Sequence, residues 1–75
     1  MEIFERIREV RKSKGVSQTF VAKKVGMTIA NYNMKENGKR AITVQELESI
    51  AQALDEPVSN FFDENLNVKL NLSSV

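Results

Sequence analysis

Three glycines, Gly15, Gly26 and Gly38, stand at nearly even spacing in the first half of the chain and cut it into short segments. Each segment carries a helical pattern, so whatever forms before residue 40 is a set of short helices. Ile3, Phe4, Ile7 and Val10 share one face and predict a helix over about 2–14, stopped by Gly15. Ser17 suits the N-cap of a second helix, about 18–25, and Gly26 sits where a left-handed C-cap would end it. Thr28 can cap a third helix, about 29–37, which Gly38 closes in the same way. Thr43 and Glu46 form a capping box, and Val44, Leu47, Ile50, Ala51 and Leu54 make the apolar stripe of a fourth helix. Pro57 fits a first helical position, with Val58, Phe61 and Phe62 completing a short fifth helix. Phe4, Phe20, Phe61 and Phe62 all keep to apolar faces and read as core.

Beyond residue 63 the period changes. Leu66, Val68, Leu70 and Leu72 alternate with polar residues, the two-residue repeat of a strand. A lone strand cannot satisfy its own backbone, and the sequence offers it no partner. Pairing across a homodimer is therefore expected, with a frayed terminus or linker stub as the alternative for the tail and helix–helix pairing through residues 44–62 as the alternative for the dimer. The domain reading is residues 1–62 as one helical domain and 63–75 as a tail.

With 75 residues there is room for one small core and none for a deep catalytic cleft. A chain this short buries only about 60% of its surface on folding, so an oligomer is worth seeking. Cysteine and histidine are both absent, which removes disulfides, the common zinc ligand sets and the usual nucleophile–base pairs. No enzymatic activity, cofactor or metal is expected, and a pocket of a few hundred Å³ for a small-molecule ligand looks too large for the volume available. No apolar run approaches the ~20 residues of a membrane span, and the opening MEIFERIREV mixes acids and bases unlike a secretory signal. A cytoplasmic location is expected.

The net charge of +1 hides an asymmetry. Residues 1–40 hold ten bases and four acids, and residues 41–75 hold one base and six acids. A basic first half and an acidic second half suggest that one face meets a polyanion, although solvated helix faces would produce the same count.

The two short helices that meet at Gly26 are more specific. Ala22 must be small where they cross, and Val21, Val25, Met27 and Tyr32 fall inward. Gln18, Thr28, Ile29, Ala30, Asn31 and Asn33 are left facing outward. This stretch, SQTFVAKKVGMTIANYNMKENGKR, resembles the helix-turn-helix core of the phage repressor, Cro and xenobiotic-response-element regulators of bacteria. The resemblance extends upstream through RIREVRKSKGVSQ and downstream through ITVQELESIAQALDEPVSNFF. It implies an all-α, five-helix, lambda-repressor-like domain that binds double-stranded DNA as a homodimer on partly palindromic operators, usually as a repressor.

On that resemblance the third helix enters the major groove, about 12 Å wide, and its first turn meets base edges. Ile29, Ala30, Asn31, Asn33 and Met34 would then contact bases. The two Asn suit adenine and the apolar residues suit thymine methyls, so an A/T-rich half-site is expected. Gln18, Thr28, Asn37, Lys39 and Arg40 correspond to phosphate-holding positions, which place the protein without specifying sequence. Arg11 and Glu36 correspond to a structural ion pair expected at a partly exposed site. Lys35 stands where the family has an apolar residue, so its ammonium is expected to reach the surface along its stem. Lys23 and Lys24 read as a solvated face. Two other functions fit the same scaffold: a protein-interaction module such as an antitoxin or antirepressor, and a controller of a restriction-modification cluster.

Overall fold

The computed structural model describes residues 1–62. Among them, four α-helices precede one 3-10 turn: α1 (Ile3–Ser13), α2 (Gln18–Val25), α3 (Ile29–Glu36), α4 (Val44–Ala53) and the turn Val58–Phe61. The tail positions Leu66, Val68, Leu70 and Leu72 lie outside the described residues.

Local chemistry sets the helix starts. Ser17 Oγ accepts the Phe20 N–H at 3.0 Å, and Thr28 Oγ1 accepts the Asn31 N–H at 3.1 Å. At α4, Glu46 N–H donates to Thr43 Oγ1 and Glu46 Oε1 accepts the Thr43 N–H, at 3.1 and 2.9 Å. Each such cap contributes about 1 kcal/mol. Gly26 closes α2 at φ +75°, the left-handed conformation that a side chain would disfavour.

The core is the meeting of α2 with α3 and α4, completed by α1 and the 3-10 turn. Ile7, Val21, Ala22, Tyr32, Ile50, Leu54 and Phe61 are all fully or almost fully buried. Ala22 has no exposure and belongs to this core.

Four expectations change. The fifth helix is a 3-10 turn: Pro57 remains extended, and the Asn60 N–H reaches back three residues to the Pro57 carbonyl at 3.0 Å. Four residues cannot build an α-helical ladder, so the tighter turn forms instead. Phe20 is 43% exposed rather than core, because α2 is short and buries only the face of Val21 and Ala22. Its ring lies beneath Lys24 Nζ, 5.6 Å from the centroid. Val44 opens α4 at 76% exposure, one turn ahead of the point where the stripe meets the core. Lys35 is only 8% exposed, yet its ammonium is partnered, by the Ala41 carbonyl at 2.8 Å and Glu46 at 3.1 Å. Helix α3 keeps its expected rotation, with Tyr32 inside and Met34 outside.

A surface groove of about 700 Å³ runs between the start of α1, residues 38–44 and Phe62. The sequence reading left no room for a pocket of this size. Because it lies open on the surface, it takes no volume from the core. No helix among the described residues is long and apolar enough to cross a membrane.

Candidate nucleic-acid interface

Helix α3 is held from behind by one carboxylate. Glu36 has no side-chain exposure, and its oxygens accept bonds from Arg11 Nε and Nη2 (both at 2.9 Å), Tyr32 Oη (2.6 Å) and Gln18 Nε2 (3.0 Å). Arg11 also donates to the Val16 carbonyl at 2.8 Å, so the guanidinium is held at both ends. Burial by itself would push the Glu36 carboxyl up, but the bonds from Arg11, Tyr32 and Gln18 outweigh it and hold the carboxyl below the usual carboxylate range. The bond to Glu36 raises Arg11, while burial and then Glu36 raise Tyr32. At pH 7 the acid is therefore ionised and the phenol is neutral. The ion pair expected from the sequence is present, with Arg11 partly exposed and Glu36 fully buried, and through Gln18 it joins α1, α2 and α3.

The network continues outward. Asn33 Nδ2 donates to Gln18 Oε1 at 3.0 Å, and Asn37 Nδ2 donates to Asn33 Oδ1 at 3.1 Å. Arg8 Nη2 donates to Asn37 Oδ1, and Arg8 Nε lies 3.8 Å from Glu36, closing a ring. Asn33 and Gln18 both face the surface expected to meet DNA, yet each binds through both ends of its amide to other protein groups. Sequence reasoning missed Arg8. The signal was available: Arg8 and Arg11, three residues apart, share one face of a helix.

The outward surface of α3 is formed by Ile29 (49% exposed), Ala30, Asn31 and Met34 (38%), with Thr28 at its leading end. Asn37, Lys39 and Arg40 are exposed just beyond the helix. Gly38 turns the chain there at φ +77°, directly beneath the Phe4 ring. A Cβ at this position would lie 2.6 Å from Phe4 Cζ. The Lys39 N–H bonds to the Met34 carbonyl at 2.9 Å, so the loop folds back along α3. Arg40 Nη1 thereby reaches Asn31 Oδ1 at 3.0 Å. The result is a short, rigidly backed helix with a mixed apolar and amide face and cations at its edge. Its dimensions suit a major groove, and the flanking cations suit phosphates.

Comparison with known proteins agrees with this geometry. A family model described as helix-turn-helix matches residues 7–61. No curated protein matches the chain. Among solved structures, the fold is similar to the restriction-modification controller protein C.AhdI from Aeromonas hydrophila, at 30% identity and a TM-score of 0.76. That alignment covers 80% of this chain and 91% of the controller. The chain belongs to the phage repressor, Cro and xenobiotic-response-element family of helix-turn-helix domains, non-enzymatic DNA-binding transcriptional regulators.

Proposed function

We propose that this protein is a sequence-specific repressor that binds a partly palindromic operator as a homodimer. The observation that carries the reading is the exposed first turns of α3, backed by the Glu36 network and edged by Lys39 and Arg40. In this reading Ile29, Ala30, Asn31 and Met34 meet base edges. Asn33 stands among them, with its amide also bonded to Gln18 and Asn37, so it both faces the major groove and braces the helix. Thr28, Asn37, Lys39 and Arg40 hold phosphates, joined by Gln18 at the start of α2, where the helix dipole favours an anion. Repression then needs only occupancy of the operator.

A second copy is the occupant that best suits the apolar groove. The groove is lined by Ile3, Phe4, Ile42, Val44, Val58 and Phe62, and it also carries both Lys39 and Glu48. A two-fold contact sets the same surface of each copy against the other, and an apolar patch is complementary to itself. Strand pairing through Leu66, Val68, Leu70 and Leu72, which lie outside the described residues, is proposed as a second contact of the same dimer. A two-fold dimer would set its two α3 helices about 34 Å apart, one turn of DNA.

The likeness to a restriction-modification controller favours a second reading, in which the operator lies in such a cluster. Selection of bound duplexes from a random library tests the proposal. Enrichment of an inverted repeat with half-sites one turn apart is the expected result, and a library recovered without sequence preference would refute it.

A further inference from the structure

The bond between Arg40 and Asn31 joins a residue assigned to phosphate with one assigned to bases. A guanidinium only donates, so the Asn31 atom facing it at 3.0 Å must be the carbonyl oxygen. The amide is thereby turned with its NH₂ outward. Arg40 itself is held in place by its loop, through the Lys39 N–H to the Met34 carbonyl, the Ala41 carbonyl to Lys35 Nζ, and Gly38 beneath Phe4.

We infer that Arg40 is a specificity-determining residue, and that Arg40 and Asn31 act as one unit that selects guanine. The inference rests on the proposed docking of α3 in the major groove. Asn alone favours adenine because it offers one acceptor to the N6 amino group and one donor to N7. With its oxygen turned toward a cation, Asn31 presents its NH₂ donors outward, and the remaining N–H groups of Arg40 add more. A surface of donors fits the two acceptors of guanine, O6 and N7, and repels the amino group of adenine. At this position the unit therefore replaces the adenine expected from Asn31 alone with guanine.

The test is a binding-site selection with the wild-type chain, Arg40→Lys, Arg40→Ala and Asn31→Ala. Thermal unfolding of each variant serves as a control, because both side chains lie outside the core. The wild type should favour guanine over adenine by about tenfold at one position in each half-site. Arg40→Ala should shift that same position toward adenine, and Arg40→Lys, which keeps the charge but loses the planar fork, should weaken the preference. Asn31→Ala should alter the same position and no other. If Arg40→Ala weakens all duplexes equally and leaves the profile unchanged, Arg40 only holds phosphate and the inference falls while the proposed function stands. If the wild type shows no sequence preference, both fall together.

Discussion

Tyr32 donates its hydroxyl to Glu36 at 2.6 Å, one turn further along α3, inside a domain where neither side chain is exposed to solvent. The same carboxylate takes Arg11 from α1 and Gln18 from α2. One buried acid thus sets the angle at which α3 leaves the body of the protein. A buried charge is tolerated only when its lone pairs are satisfied, and here every oxygen of Glu36 is bonded.

Removing that acid leaves Arg11 and the Tyr32 hydroxyl without their partner. Glu36→Ala should cost about 3–5 kcal/mol of folding stability in urea titrations. Tyr32→Phe deletes one bond to a charged acceptor and should cost about 1.5–3 kcal/mol. The double variant should lose less than the sum, since both act on one network. A Glu36→Ala cost below about 1 kcal/mol would show that the junction contributes no more than a surface ion pair.

Acid should weaken the fold in a defined window. Glu36 has a folded-state pKa below its unfolded value, as do Glu46, held first by the Thr43 N–H, and the half-buried Glu56, held by Asn60 and Lys14. Their contribution is fully present above the unfolded carboxylate pKa of about 4.3 and is lost as pH falls through the lower folded values. With no histidine in the chain, the urea midpoint should be flat from about pH 8 to pH 6 and should fall below about pH 5. Glu36→Gln should flatten part of that acid limb. A midpoint that dropped between pH 8 and pH 6 would contradict this assignment.

Gly38→Ala should be costly for two separable reasons. The left-handed backbone disfavours any Cβ by about 1–2 kcal/mol, and the Phe4 ring lies where the methyl would go. Placing Gly38→Ala in a Phe4→Ala background should remove the steric part and leave the backbone part. Equal penalties in both backgrounds, read by thermal melts, would show that the ring yields freely.

Much of this was legible in the sequence because helix caps are local. Ser17, Thr28 and Thr43 cap the helices they were expected to cap, and Ala22 is fully buried, as an inward position implied. What was not legible depends on chain segments meeting in space. Lys35 looked like a misplaced charge because Glu46 and the Ala41 carbonyl, which receive it, lie on the far side of a loop. Phe20 looked like core because periodicity cannot show how far a neighbouring helix extends. The contact of Arg40 with Asn31, nine residues earlier, was likewise out of reach, because it exists only once Gly38 has turned the chain.

Self-association through the groove can be tested at Val44, whose exposure means that the monomer does not depend on it for packing. Val44→Glu should shift the mass in solution from dimer toward monomer with an unchanged helical spectrum. Truncation after Asp63 should shift it in the same direction if the tail extends the interface. If neither variant changes the mass, the second copy sits elsewhere.

The central claim is that the exposed face of α3, with its flanking cations, engages the DNA duplex. Its most direct test is the affinity of the full chain for a selected duplex as salt rises from 50 to 200 mM. Neutralising six or more phosphates should weaken binding by about a thousandfold over that range. An affinity that stays constant across it would mean that this surface does not bind DNA as described.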